Sequence, residues 1–234
     1  MRAVILAGGR GTRLSPYTTV LPKPLVPMGD RPILELMIRQ LYCEGFSTID
    51  LCVGHLGELI HVYLSEGARL PDDLELRFHW EQEPLGTAGA LRTIEGLDDP
   101  FLAMNGDVLT DLSYAALMRA HDANGAALTI ASHGRDIRID LGVIEGDGDC
   151  VTRYVEKPTM DFEVSMGIYA YSPEALRHIP EGPFDFPQVV DALIAAGERV
   201  AIHPHRGTWF DIGTPADHEQ ALAEIQRRPG LYYR

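Results

Sequence analysis

Apolar and polar positions alternate in blocks along the first half of the chain. RAVILA, near the start, is a short, almost unbroken apolar run, the pattern of a strand covered on both faces. PILELMIRQLYCEG then switches to a helical period. Ile33, Leu34, Met37, Ile38 and Leu41 share one stripe, Pro32 suits the first turn and Gly45 suits the exit. TIDLCVG, LELRFHW and PFLAMNGD predict further strands, and GELIHVYLSEG and TAGALRTIEG predict helices between them. This βαβα rhythm runs to about residue 133 and predicts a mostly parallel sheet covered by helices on both faces. Beyond it the pattern is less regular. LGVIEGDGDCVTRYVEKP reads as two strands joined at GDGD, VSMGIYAYS as another strand, and RVAIHPH and TWFDIG as late strands. Pro173 opens a short helix, and Thr214-Pro215 forms the cap and first turn of ADHEQALAEIQRR. No linker, repeat or low-complexity stretch interrupts residues 1–234, which read as one domain.

In parallel sheets ligands sit beyond the carboxyl ends of the strands. The first such end carries LAGGRGTRLSPYTTVLPKP. Ala7-Gly8-Gly9 leaves backbone amides with little side chain around them, so N–H groups can approach a phosphate. It is not a P-loop, because Gly11 is followed by Thr12-Arg13 instead of Lys-Ser/Thr. It also fails the dinucleotide fingerprint, which would need glycine where Leu14 stands. Taken alone, the glycines fit a structural turn as well as a phosphate cradle. Arg13 adds a rigid fork of donors, and Lys23 adds a compact charge held between Pro22 and Pro24. Arg10 is left open between phosphate contact and surface. Asp107 ends the apolar run FLAMNGD and Asp211 ends TWFD, so two carboxylates at strand ends can meet at one magnesium ion whose remaining ligands are phosphate oxygens. The structural alternatives are a turn residue for Asp107 and a helix-entry residue for Asp211. Asp111 reads as a helix cap.

Charge narrows the ligand. Lys and Arg number 20 against 34 Asp and Glu, a formal charge of −14. Such a surface repels a phosphate polymer, so no nucleic acid partner is expected and any phosphate ligand must be small and locally held. No apolar run has the length of a membrane span, and the opening is a strand pattern, not a signal peptide. Cys43, Cys52 and Cys150 suit neither a disulfide framework nor a zinc site. They read as buried thiols in a cytoplasmic protein.

LAGGRGTRLSPYT with LPKPLVPMGDRPILE, followed in order by EPLGTAGAL, NGD, EKP and WFDIGTPADHEQA, resembles the sugar-1-phosphate nucleotidyltransferases over about residues 2–225. It is most similar to the mannose-1-phosphate and heptose-1-phosphate guanylyltransferases. The resemblance implies a three-layer α/β/α sandwich with a Rossmann-like, mostly parallel sheet. It also implies an enzyme that joins an NTP to a sugar 1-phosphate, with magnesium, releasing pyrophosphate. The front half, about 1–133, would then face the nucleotide and the back half, about 134–234, the sugar phosphate. By resemblance, Arg13, Lys23 and Asp107 are catalytic, Asp107 and Asp211 bind the metal, and Lys157 of VEKP holds the sugar phosphate. Nucleotide contacts are expected from Leu6, Ala7, Gly8, Gly9, Gly11, Thr12, Arg13, Lys23, Glu81, Pro84, Gly86, Thr87, Asn105 and Gly106. Sugar-phosphate contacts are expected from Gly142, Glu156, Lys157, Ser165 and Gly167, with serine at 165 where the family often has asparagine. Trp209 is divided between sugar stacking and core packing.

The family's base-contacting side chain falls at Glu81. A carboxylate only accepts hydrogen bonds, and guanine offers adjacent N1–H and N2–H₂ donors where uracil offers one, so Glu81 tilts the choice to GTP. UTP, dTTP and CTP remain open, as does a non-catalytic nucleotide-sugar binder. No hexapeptide repeats follow EIQRRPGLYYR, so a compact family member is expected. A homo-oligomer is left open.

Overall fold

The computed structural model describes residues 1–9 and 11–233, so Arg10 lies outside the described residues. The strands are β1 (Arg2–Ala7), β2 (Thr48–Val53), β3 (Glu75–Trp80), β4 (Phe101–Asn105), β5 (Val108–Thr110), β6 (Leu128–Arg138), β7 (Gly142–Asp147), β8 (Cys150–Glu156), β9 (Thr159–Tyr171), β10 (Val200–His205) and β11 (Trp209–Asp211). The helices that matter here are α1 (Ile33–Cys43), α2 (Gly57–Val62), α3 (Gly86–Gly89), α4 (Tyr114–Asn124), α5 (Phe186–Ala195) and α6 (Pro215–Arg227). Among the described residues a seven-stranded sheet runs in the order β10-β6-β9-β4-β1-β2-β3. Only β9 runs against its neighbours, β4 and β6; the other pairings are parallel.

Alternation along β1 shows why three layers form. Ala3, Ile5 and Ala7 point into one core, built with Leu34, Met37, Ile38 and Leu41 of α1 and with residues of α2, α4 and α6. Val4 points into the other, built with Leu91, Phe101, Tyr171, Val189 and Leu193 under α5. A strand buried on both faces reads as a continuous apolar run, which is how RAVILA appears in the sequence.

Several elements differ from expectation. TAGALRTIEG is not one helix: α3 spans only Gly86–Gly89 and continues as a 3₁₀ turn at Ala90–Thr93. Pro32 stands at the N-cap of α1, one residue before the first turn. Strand β6 extends well past its apolar start, because residues 133–138 pair with β9 in a solvent-facing ribbon and need no apolar pattern. Of the cysteines only Cys52 is buried; Cys43 and Cys150 are exposed, which corrects the reading of all three as core thiols.

Candidate active site

Strands β1 and β4 are parallel neighbours, with Leu6 opposite Asn105. The glycine loop and the Asn105-Gly106-Asp107 turn therefore leave the sheet side by side, tied by the Gly106 N–H to the Leu6 carbonyl at 2.9 Å. The third motif arrives through a small antiparallel ladder. Strand β11 pairs with β5, Asp211 lies opposite Val108, and the Ile212 N–H donates to the Asp107 carbonyl at 3.0 Å. Three segments far apart in sequence thus meet at one cleft of about 210 Å³. Ala7, Gly9, Thr12, Arg13, Lys23 and Asp107 are on its wall.

Lys23 is buried, at 8% exposure, and its ammonium forms an ion pair with Asp107 Oδ2. Its stem packs on Gly11. A Cβ at Gly11 would lie 2.8 Å from Lys23 Cβ, and Gly11 also holds φ 60°, so glycine is required there twice over. The Thr18 hydroxyl fixes the same loop by donating to the Gly11 carbonyl at 2.8 Å. Arg13 stands on a 3₁₀ turn (Thr12–Leu14) anchored by fully buried Leu14, and its guanidinium lies beside Gly213, two residues past Asp211.

The two carboxylates are electrostatically coupled. Burial, and then the neighbouring Asp107 carboxylate, push the Asp211 carboxyl above its ordinary value, against the pull of Lys23 and Arg13. Among the described residues, Asp107 Oδ1 is buried with no hydrogen-bond partner. An orphaned carboxylate oxygen is costly unless something else fills the place. Two hard carboxylates, one with a free buried oxygen, fit a magnesium ion, which takes few protein ligands. Among the described residues no group of three or more His, Cys, Asp or Glu side chains forms a metal cage.

A second cleft, of about 290 Å³, opens on the other side of Gly9 and contains Gly8, Glu81, Pro84, Gly86, Thr87 and Asn105. The Glu81 carboxylate lies across the bare Gly8 backbone, and its Oε2 accepts from the Leu85 N–H at 3.2 Å. Burial pushes the Glu81 carboxyl above its ordinary value, with the Leu85 bond opposing. Thr87 lines this cleft, yet its N–H and its hydroxyl are both committed to Asp185 Oδ1, at 3.0 and 3.2 Å.

The expected sugar-phosphate residues form two groups. Ser165 and Gly167 lie on β9, where the Asn105 amide packs against Gly167 and the Ser165 hydroxyl meets Tyr169 OH at 3.3 Å. Gly142 and Glu156 are opposite one another on the β7–β8 hairpin, and Lys157 follows with its N–H on the Leu141 carbonyl at 3.3 Å. Glu156 and Lys157 are solvent-exposed, and among the described residues no hydrogen bond joins this hairpin to the clefts. Trp209 donates its indole N–H to the Met166 carbonyl at 3.1 Å and packs against His133. Asp111 is not a helix cap: Ser113 caps α4, and Asp111 Oδ1 accepts from the Thr208 N–H at 2.6 Å and from His205 at 2.9 Å. Sequence reading missed Asp185. Its only local signal is the Asp-Phe-Pro-Gln helix start, a capping box with proline in the first turn.

The profile of the family described as Nucleotidyl transferase matches residues 2–228. A mannose-1-phosphate guanyltransferase of Candida albicans is 34% identical over 228 residues, covering 93% of this chain and 62% of that protein. A UTP–glucose-1-phosphate uridylyltransferase of Synechocystis is 31% identical, covering 99% of this chain and 68% of that protein. Among solved structures, HddC from Yersinia pseudotuberculosis complexed with GMP-PN superposes with a TM-score of 0.72 at 26% identity, covering 96% of this chain and 99% of that one. The chain thus spans a little under two thirds of the length of the guanyltransferase it matches.

Proposed function

The chain belongs to the nucleotidyl transferase family, and from that premise we propose that it transfers a nucleotidyl group from GTP to a sugar 1-phosphate. An oxygen of the sugar phosphate attacks the α-phosphorus, the bond to the β-phosphate's bridging oxygen breaks, and pyrophosphate leaves as the NDP-sugar forms. The attacking oxygen is already ionised at neutral pH, so no covalent nucleophile or strong base is needed. Positioning and charge carry the rate.

The observation that carries this reading is the buried Lys23–Asp107 pair at the floor of a cleft edged by bare glycine backbone and Arg13. Arg13 grips the triphosphate, Lys23 faces the reacting phosphates, and the loop amides donate to phosphate oxygens. Asp107 and Asp211 would hold a magnesium ion, which supplies charge neutralisation for the leaving pyrophosphate. Lys157, Glu156 and Gly142 on the hairpin, with Ser165 and Gly167 on β9, receive the sugar phosphate.

Glu81 supports GTP, because a carboxylate matches guanine's paired donors. The guanyltransferase name of the Candida relative and the GMP-PN complex of HddC support the same choice. UTP is the second reading, favoured by the uridylyltransferase relative. The test is to incubate the protein with magnesium, each NTP in turn and a panel of sugar 1-phosphates, mannose and heptose among them, and to measure pyrophosphate. We expect release with GTP above the other nucleotides. No release with any pair would overturn the activity, and equal release with all would overturn the base assignment.

A further inference from the structure

We propose that Asp185, at the start of α5, is a positioning residue that sets the Glu81 carboxylate and through it the choice of nucleotide; the inference rests on the nucleotidyl transfer proposed above. The relay is the Leu85 backbone. Its N–H holds Glu81 Oε2 at 3.2 Å, and its carbonyl accepts from the Phe184 N–H at 2.9 Å. One residue therefore carries the base reader on the peptide before it and the turn before α5 on the peptide after it. A displacement of Leu85 moves both.

The loop around Leu85 does not support itself. Helix α3 is a single turn, with no side chain of its own capping it. Its first amides go to the 184–186 turn instead. Thr87 N–H and Oγ1–H donate to Asp185 Oδ1 at 3.0 and 3.2 Å, and the Ala88 and Gly89 N–H groups both donate to the Phe184 carbonyl at 2.9 Å. The Thr87 hydroxyl oxygen accepts in return from the Phe186 N–H at 2.8 Å. The approach is close enough to dictate sequence. A Cβ at Gly86 would lie 2.7 Å from both Asp185 Oδ1 and the Phe184 carbonyl, at a φ of +77°.

The turn, by contrast, is anchored. The Asp185 N–H donates to Gln188 Oε1 at 2.8 Å, Phe186 stacks on Tyr169 with ring centroids 3.7 Å apart, and Val189 and Leu193 are fully buried. A loop that satisfies its amides on a rigid helix start inherits that element's position. With Oε2 tethered, Glu81 Oε1 is aimed over Gly8 into the cleft. Loss of the Asp185 contacts frees the loop and lets the carboxylate rotate. That weakens discrimination between bases, because matching two adjacent donors demands a fixed carboxylate plane. The Lys23–Asp107 centre does not depend on this turn.

The test is direct binding of GTP and UTP to the full protein by titration calorimetry, without sugar phosphate. Wild type is compared with Asp185→Ala, Asp185→Asn, Glu81→Gln and the Asp185→Ala/Glu81→Gln double variant. We expect Asp185→Ala to weaken GTP about tenfold and UTP far less, and Asp185→Asn, which keeps an acceptor oxygen, to stay near wild type. The double variant should be no worse for GTP than Glu81→Gln alone, because both changes act on one contact. A merely structural clasp would lower the melting temperature and weaken both nucleotides alike. A folded Asp185→Ala protein with the wild-type GTP-to-UTP ratio overturns the inference, and so does a double variant whose losses multiply. If Asp185→Ala does not fold, Thr87→Val, which removes the hydroxyl link at similar volume, carries the same expectation. A wild type that binds no nucleotide overturns the proposed function as well. A wild type that prefers GTP but is indifferent to both Asp185→Ala and Thr87→Val overturns this inference alone.

Discussion

Among single residues Lys23 is central. A buried ammonium is costly without an opposite charge beside it, and Asp107 supplies that charge. Variants can separate the lysine's support of the fold from its proposed contact with phosphate. Lys23→Met should destabilise the protein by about 2 kcal/mol, less than for a fully buried pair because Asp107 retains some solvent contact, and should lower kcat/KM by about 10²-fold or more. Adding Asp107→Asn should restore part of the stability, since no unpaired charge remains, while activity stays lost. Urea denaturation and steady-state kinetics on the three proteins check both halves. A Lys23→Met enzyme with near-normal turnover would remove the phosphate role. Lys23 was legible in the sequence because its cues are local: glycines after an apolar run and prolines on both sides. Asp185 was not, since its partner Thr87 stands 98 positions away. A helix-capping aspartate looks the same in sequence whether or not a distant loop leans on it.

At the scale of elements, the short β5–β11 ladder brings the two aspartates together. Asp107 immediately precedes β5 and Asp211 ends β11, and their register makes them neighbours. Asp107→Asn and Asp211→Asn should each cripple turnover and raise the magnesium requirement. The double variant should lose little more than the worse single one, because both act on one ion. Magnesium titrations of activity test this, and losses that simply multiply would rule out a shared site. Helix α4 carries a different prediction. His121 is buried on it, with Thr129 Oγ1 at 2.8 Å from Nδ1 and Ser172 Oγ at 3.1 Å from Nε2. The Ser172 hydroxyl donates to the Ala126 carbonyl, so it accepts from Nε2–H. Burial holds the His121 pKa below its ordinary value. Below about pH 6.5 the unfolded chain then binds the proton more readily than the folded one, so stability is lost as pH falls from there toward the depressed folded value. Urea midpoints at pH 7.5 and 5.5 should show the drop, and His121→Gln should flatten it; an equal drop in that variant would assign the effect elsewhere. The α6 start was plain in the sequence, since Thr214 and Pro215 supply the cap and the first turn, and Asp217 completes the capping box in the structure. The length of β6 was not, because residues 133–138 are solvent-facing and carry no period.

In the whole molecule, the front and back halves of the chain are woven through one sheet. Strand β9 from the back half lies between β4 of the front half and β6, which straddles the boundary, and β10 pairs with β6. Unfolding should therefore be one cooperative transition by fluorescence and circular dichroism, and residues 1–133 expressed alone should not fold. A stable isolated front half would show that the boundary is real. The βαβα rhythm made the parallel core and its strand-end crevice readable from sequence. It could not give the order of the late strands, which depends on which sheet edge remains free once the first four are placed. The proposed reaction joins two phosphates in the cleft by direct displacement. A ³¹P NMR time course with GTP, mannose 1-phosphate or a heptose 1-phosphate, magnesium and the intact protein tests it. Equal amounts of pyrophosphate and a new sugar-linked diphosphate, with no inorganic phosphate, are expected. Inorganic phosphate and GDP in their place, or GTP left unchanged with every sugar phosphate, would contradict it.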